Sequence, residues 1–431
     1  MSPSIHAVSA ETTHAPDVGH HVGEPPDRRA GRVTVSRIGE AGRAAHQGPA
    51  TRGRLRVYLG FAPGAGTTCA LLSEGHRCAE RGADVVVASV QTHGRPGTAG
   101  LLSGLEIIPP AQAASRGMIA EEMDLGAVLA RRPQVALVDE LAHRNLPGPG
   151  HATRWQDAME LLAAGIDVVS TVSIGHLDSL TDVVEKITGV RPQETVPDPV
   201  IRAADEIELV DLAPEALRDR IARGRVHPPE QAEAALDGWF RIGPLSALRE
   251  LALLWLAAAV AQNAHRHRPG GHGHDSRQAR ERVVVALAGG PEGPMLIRRA
   301  ARMAARSGGD LLAVHITRSG APAGAVAVAL AAQRQLTESI GGTYQLLTDR
   351  DIPAALLIFA RAENATQLVL GTRHRSWLSA LRPRTRITSR VIHGSSGTDV
   401  HIISHTAHRV PRQQNAGTWP RVRLSPETGQ A

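Results

Sequence analysis

Short apolar runs and amphipathic stretches alternate along most of this 431-residue chain. Runs rich in β-branched residues occupy 56–59, 84–90, 134–138, 167–172 and 208–211, and the intervals between them carry helical spacing. Strands that are apolar throughout, separated by helices, are what a parallel sheet covered on both faces requires. Three helices are expected next, over 215–223, 229–240 and 244–265. The last repeats leucine at Leu245, Leu248, Leu251, Leu253 and Leu256, the pattern of a helix that docks one apolar face. A second series follows, with strands at 282–287, 310–316, 344–347, 367–370 and 400–403 and with helices ending at 307 and spanning 325–340 and 353–362. The pattern predicts an α/β protein built twice: a parallel-sheet domain over 54–264 and a second, Rossmann-like α/β domain over 282–405.

The flanking segments lack this patterning. Residues 1–53 are rich in His, Gly, Pro, Ala and Arg and contain no aromatic residue, which predicts a disordered arm. Residues 265–281 include the run His265-Arg266-His267-Arg268-Pro269-Gly270-Gly271-His272 and are expected to be a linker, and 406–431 a loose tail. The histidines in these segments have no fixed spacing, so no structural metal is expected.

Composition narrows the class. A hydrophobic fraction of 42% is enough for packed cores, and an aromatic fraction of 2% makes them aliphatic. The net charge of +6 is carried almost wholly by arginine, because Lys186 is the only lysine. Basic surface without clustered base-stacking aromatics does not point to nucleic acid, and no nucleic-acid partner is expected. Cys69 and Cys78 lie nine residues apart in one predicted helix and face nearly opposite sides, giving neither a disulfide framework nor metal spacing. The N-terminus lacks a charged segment followed by an apolar core. The longest apolar run, 251–261, is shorter than a membrane span requires. A soluble, cytoplasmic protein without direct membrane insertion is expected.

The strongest chemical signal lies between the first strand and the first helix, where the chain reads Phe61-Ala62-Pro63-Gly64-Ala65-Gly66-Thr67-Thr68. A P-loop, G-x-x-x-x-G-K-[ST], curls backbone N–H groups round phosphate, reaches it with lysine and holds Mg²⁺ with its last hydroxyl. Gly64, Gly66 and Thr68 fit; Phe61 stands at the first glycine position and Thr67 at the lysine. The segment retains the makings of an anion-binding helix N-terminus. The apolar strand 134–138 then runs into Asp139, placed to hold Mg²⁺ with Thr68, and Glu140, placed to polarise a water or orient ligand. The expected nucleotide-binding set is Gly64, Ala65, Gly66, Thr67, Thr68, Asp139 and Glu140, and the implied cofactor is ATP or another nucleotide with Mg²⁺. Loss of a point cation beside a developing phosphate charge removes roughly several kcal/mol of transition-state stabilisation. Binding with negligible turnover is therefore expected; were the chain an NTPase, Asp139 and Glu140 would be its catalytic residues.

Ligands of open α/β sheets bind at the carboxyl ends of the strands. Those ends add Thr92, His93 and Arg95 after the second strand, His143 and Arg154 after the acid pair, and His176 after the fourth, all candidate crevice residues. Arg95 and Arg154 are the natural partners for phosphate among them.

The same residues carry a family resemblance. The stretch from Arg54 to about Leu256 resembles the N-terminal cytoplasmic domain of the KdpD sensor histidine kinases of potassium limitation and osmotic stress. The motifs are Thr92-His93-Gly94-Arg95, Val138-Asp139-Glu140-Leu141-Ala142-His143, Arg154-Trp155-Gln156-Asp157, Glu194-Thr195-Val196-Pro197-Asp198-Pro199 and Ala247-Leu248-Arg249-Glu250-Leu251-Ala252. The second domain resembles the universal-stress-protein module that follows in that family. The family's P-loop ends Gly-Lys-Thr where this chain has Gly66-Thr67-Thr68. Nucleotide-binding stress modules carry Gly-x-x-Gly and a later Gly-[Ser/Thr]. Here Gly371, Thr372, Arg373, Arg384 and Thr385 stand in that loop, with His374 and Arg384 in place of glycines. The resemblance implies the input half of such a sensor, without membrane and kinase parts: a regulatory protein rather than an enzyme. Its implied partner is a separate kinase half or a potassium-uptake regulator, with a nucleotide second messenger as a further ligand. An active P-loop ATPase and a structural partner-binding remnant are the alternatives.

Overall fold

In a computed structural model the described residues are 31–36, 52–115, 118–148, 150–226, 229–266, 281–318, 322–373, 385–395 and 397–405. Most of the expected linker and all of the expected tail fall outside them.

The first domain is a seven-stranded sheet in the order β1-β9-β2-β8-β7-β3-β4. Its strands are β1 (Gly31–Ser36), β2 (Leu55–Gly60), β3 (Val85–Ser89), β4 (Glu106–Ile107), β7 (Val135–Val138), β8 (Asp167–Ser173) and β9 (Glu206–Asp211). A separate antiparallel hairpin pairs β5 (Ala111–Ser115) with β6 (Met118–Glu122). All pairings in the large sheet are parallel except β1 with β9. Alternate side chains feed two cores. Leu55, Val57 and Leu59 join one cluster with Val138 and Val168, whereas Tyr58 joins a second with Val87, Leu137 and Val169. Helix α1 (Thr67–Glu80) covers the second face through Leu71 and Leu72. The helices α2 (Pro96–Gly100), α3 (Leu125–Arg131), α4 (Arg154–Ala163), α5 (Thr181–Thr188), α6 (Asp198–Arg202), α7 (Pro214–Ala222), α8 (Pro229–Asp237) and α9 (Ile242–Arg266) complete the domain. The leucine-rich helix docks as expected, with Leu245, Leu248, Ala252, Trp255 and Leu256 in the first core.

Three expectations are corrected. Residues 31–36, inside the arm expected to be disordered, form β1: Gly-Arg-Val-Thr-Val-Ser alternates polar residues with valine, a strand pattern that pairs along β9. The hairpin β5–β6 lies in a stretch where no strand is predicted. And α9 contains a segment, Ile242–Val260, of 19 residues with mean hydropathy 1.4, long and apolar enough by length and composition to cross a membrane. The polar interruptions at Arg249 and Glu250 hide this when only unbroken runs are counted.

The second domain is a five-stranded, wholly parallel sheet in the order β12-β11-β10-β13-β14. It is built from β10 (Arg282–Leu287), β11 (Asp310–Thr317), β12 (Thr343–Thr348), β13 (Gln367–Arg373) and β14 (Asp399–His405). Helices α10 (Gly293–Ser307), α11 (Gly324–Ser339), α12 (Ile352–Ala362) and α13 (Thr385–Gly394) lie between the strands in sequence. Val283 and Val285 pack with Leu296 and Ile297 on one face, and Val284 with Leu356 and Phe359 on the other.

The two domains touch at the turns that follow β8. Arg302 on α10 grips Asp182 through Nη1 to Oδ1 at 2.7 Å and Nη2 to Oδ2 at 3.1 Å. Arg302 Nη1 also donates to the Ser179 carbonyl at 2.6 Å, and Arg298 Nε to the Asp178 carbonyl at 2.8 Å. Ser339 Oγ on α11 donates to Asp178 Oδ2 at 3.2 Å.

Candidate functional site

The loop from β2 to α1 is shaped by two glycines with different needs. Gly64 has φ +84°, and a Cβ there would lie 2.7 Å from both methyls of Val226. Gly66 has φ +110°, and a Cβ there would make only ordinary contacts, with Arg220 Nη1 at 3.5 Å and Val210 Cγ1 at 3.8 Å, so conformation alone demands glycine. Gly66 is the N-cap of α1; it supplies no side-chain cap, and no acidic residue occupies the first turn. The first N–H groups of the helix thus lack a side-chain acceptor, which leaves an end suited to anions. Phe61 is fully buried in the first core, so the position that would hold the first P-loop glycine has become an anchor for the loop. Ala65 is buried too, and Thr67 opens the helix with its methyl against Gly60.

One strand, β8, separates β2 from β7, and it ties their ends together. Asp139 is 1% exposed. Its carboxylate accepts from Thr68 Oγ1 at 3.0 Å and from Thr171 Oγ1, on β8, at 2.5 Å. Burial pushes the Asp139 carboxyl above its ordinary value and the neighbouring Glu140 adds to the rise, against the two hydroxyls and Arg154. Glu140 takes a left-handed backbone at φ 53° and donates its N–H to Thr171 Oγ1 at 3.0 Å. Its Oε1 lies 3.2 Å from His93 Nε2. Enclosure disfavours the Glu140 carboxylate, but the His93 hydrogen bond and charge, with Arg154 and His143 behind it, overcome this and bring the group down to about 2.

The candidate crevice residues fall into two layers. Thr68, Asp139, Glu140, His93 and Arg95 gather at the strand ends. Thr92 contributes its carbonyl, which accepts from the Arg95 N–H at 3.0 Å and closes the turn between β3 and α2. His176 is enclosed beside Glu194 and Glu140, and burial lowers its pKa against those carboxylates. His143 and Arg154 lie behind. Arg154, 1% exposed, donates Nη1 to the Asp139 carbonyl at 3.1 Å and Nη2 to Glu122 at 3.4 Å. His143 Nε2 sits 3.1 Å from both oxygens of that same glutamate. The expectation that Arg154 faces a phosphate is therefore corrected: a fully buried guanidinium is used to brace the backbone of the acid pair, and its Nε has no partner among the described residues. Glu122, Thr171 and Arg220 were not singled out from the sequence. Arg220 Nη1 approaches the loop carbonyls of Ala65 at 3.3 Å and Gly64 at 3.5 Å. Thr171, a hydroxyl on a buried strand beside the acid strand, carried the one signal that could have marked it. Among the described residues no group of three or more metal-ligating side chains forms a preassembled metal centre.

The loop proposed in the second domain is only partly described, because 374–384, with His374 and Arg384, lie outside the described residues. Gly371 and Thr372 lie near the end of β13, Arg373 ends it, and Thr385 begins α13. Gly371 is required for packing: a Cβ there would meet Leu296 Cδ1 at 2.6 Å. At the end of β10, Glu292 folds over Gly290, where a Cβ would meet its Oε2 at 2.3 Å. A carboxylate there opposes a phosphate chain at the same strand ends. Separately, an open cleft of about 340 Å³ lies between the domains, lined by Arg144, Trp155, Asp178, Glu194, Gln335 and Ser339.

Comparison with known proteins accords with this architecture. Residues 51–260 match the family described as the osmosensitive K⁺ channel histidine kinase sensor domain, KdpD, and residues 279–403 match the universal stress protein family. The chain is 50% identical over 371 residues to the sensor protein KdpD of Mycobacterium tuberculosis, covering 86% of this chain and 42% of that protein. It is 37% identical over 359 residues to the putative sensor protein KdpD of Synechocystis, covering 83% of this chain and 95% of that one. The chain thus spans about two fifths of the mycobacterial relative and nearly all of the cyanobacterial one. Among solved structures, a universal stress protein in complex with cAMP aligns over 29% of this chain and 97% of its own, at 21% identity and a TM-score of 0.24.

Proposed function

The chain belongs to the KdpD family of sensor proteins, and on that premise we propose that it is a regulatory nucleotide-binding protein that acts in the cytoplasm in signalling of potassium limitation or osmotic stress. The uncapped start of α1 would receive the nucleotide's phosphates, and Thr68 and Asp139 would hold its Mg²⁺. The apposition of Thr68 Oγ1 and Asp139 Oδ2 at 3.0 Å carries this reading, because a hydroxyl beside a carboxylate at a phosphate-suited helix end is the donor set a hard cation prefers. Mg²⁺ would supply charge neutralisation between the phosphates and this buried acid.

Turnover is negligible in this reading. Thr67 offers no cation to the terminal phosphate, and Glu140 is already committed to His93. The protein therefore senses the nucleotide and passes the result to a separate kinase half or a potassium-uptake regulator. Calorimetric titration with ATP·Mg²⁺, alongside phosphate-release assays, tests the proposal. Saturable binding that is weakened by Asp139→Ala, without phosphate release, is expected. Robust hydrolysis lost in Asp139→Ala would establish the ATPase alternative instead, and absence of binding at millimolar nucleotide would leave only a partner-binding remnant.

A further inference from the structure

A phosphate loop without its lysine must take positive charge from elsewhere or work without it. The chain's one lysine, Lys186, lies on α5, so any substitute is an arginine. Three guanidiniums stand around the loop and the acid pair. Arg154 is used up beneath the strand end by the Asp139 carbonyl and Glu122. Arg220 leans on the carbonyls of Gly64 and Ala65, and carbonyl oxygens are the pole of the loop that an anion avoids.

Arg95 is placed differently. It is the N-cap residue of α2, directly after the turn that leaves β3. Thr98, in the first turn of that helix, brings its hydroxyl within 3.8 Å of Cys69 Sγ in the first turn of α1, so the two helix starts lie side by side. Arg95 Nε donates to the Val226 carbonyl at 3.3 Å. Val226 is the residue whose methyls close against Gly64. The guanidinium is thus held through its Nε beside the residue that closes on the phosphate loop. It forms no ion pair among the described residues and is half-buried: burial lowers its pKa, opposed by Cys69, Asp139 and Glu140 nearby. With its Nε engaged by Val226, and partly open to solvent, the guanidinium keeps its Nη groups available to an incoming anion.

We propose that Arg95 is the phosphate-binding cation that replaces the missing P-loop lysine, delivered from the turn after β3 rather than from the helix itself. The proposal rests on the nucleotide reading above and deepens it. It assigns the ligand class as nucleoside di- or triphosphates, since a planar guanidinium reached from the side suits the oxygens of a phosphate chain. Held at its Nε by Val226, Arg95 binds phosphate without following a transferring group, which fits a site that senses rather than cuts.

The test is calorimetric titration of the full chain with ADP·Mg²⁺ and ATP·Mg²⁺, with thermal melting of each ligand-free variant as a check on folding. Arg95→Ala is expected to weaken both nucleotides about ten- to a hundredfold, the range of a hydrogen bond to a charged group. Arg95→Lys, which keeps the charge but loses the planar fork and the Nε donor to Val226, should recover only part of the affinity, and adding Thr67→Lys to Arg95→Ala should restore it from the first turn of α1. Wild-type affinity in a well-folded Arg95→Ala protein, or no recovery with Thr67→Lys, overturns the assignment while leaving nucleotide binding intact. A wild-type protein that binds neither nucleotide removes the parent reading and this one with it.

Discussion

Thr68 Oγ1 and Asp139 Oδ2 meet at 3.0 Å across 71 residues of chain. The strands that precede them, β2 and β7, are not paired with each other. β8 lies between, and its Thr171 hydroxyl donates to Asp139 while accepting from the Glu140 N–H. The site is therefore held by a hydroxyl that belongs to neither motif.

Asp139 is buried, with its carboxyl raised above the ordinary value by that burial and by Glu140. A raised native pKa means that the folded state holds the proton more tightly than the unfolded chain. Stability from this group is present below the ordinary value and is lost as pH rises through the raised one. Asp139→Asn should therefore melt a few degrees higher than wild type at pH 8, where about 1 kcal/mol corresponds to about 2–4 °C. The gain should shrink toward pH 4, and Mg²⁺-dependent nucleotide affinity should fall. A lower melting temperature at pH 8 would contradict the account.

Phe61 and Thr67 both depart from a P-loop, but restoring them should have opposite consequences. Phe61 is a core residue, and Phe61→Gly should cost at least the ~3–5 kcal/mol of a large-to-small core substitution. Thr67→Lys changes a partly exposed first-turn residue and should cost about 1 kcal/mol or less. Urea unfolding of the two variants distinguishes them.

The strands, the glycines and the acid pair were legible because each is written locally: β-branched runs, turn residues and an apolar strand ending in Asp139. What failed to show was written in contacts between distant residues. Glu122 meets His143 and Arg154 from a hairpin whose strands are Ala-Gln-Ala-Ala-Ser and Met-Ile-Ala-Glu-Glu, sequences with little β-branched content. Arg220 reaches Gly64 from 156 residues away. Gly371 looked like a phosphate glycine, whereas its missing side chain admits Leu296. A glycine in a sequence says that something comes close, not what.

Glu140 titrates at about 2 because of His93, against the enclosure that would raise it. A depressed carboxyl adds stability above its ordinary value of 4.5, and that contribution is lost as pH falls toward 2. In His93→Ala, Glu140 should titrate closer to 4.5, as read by carboxyl NMR. The variant should be less stable than wild type at pH 7, with the difference closing as pH approaches 2. An unmoved Glu140 titration would assign its low value to Arg154 and His143 alone.

Arg302 binds Asp182 at both oxygens, and the two side chains are 21% and 13% exposed. Arg302→Ala should loosen the domain contact without unfolding either domain: a larger maximum dimension by small-angle X-ray scattering, with unchanged far-ultraviolet circular dichroism. Arg302→Asp should be partly repaired by Asp182→Arg, with a coupling of about 1 kcal/mol or more in a double-mutant cycle. Identical scattering for wild type and Arg302→Ala would show that the remaining contacts suffice.

That grip has a consequence for communication. The turns held by Arg298 and Arg302 leave β8, the strand whose Thr171 holds Asp139. Were a ligand to reset this strand end and with it the turns that follow, the free energy of the domain contact would change, and thermodynamic linkage would make the influence mutual. If a nucleotide at α1 tightens the stress-module contact by some factor, whatever tightens that contact raises nucleotide affinity by the same factor. On that condition neither domain would act as a pure transmitter, and a cell that set the occupancy of one would also set the sensitivity of the other.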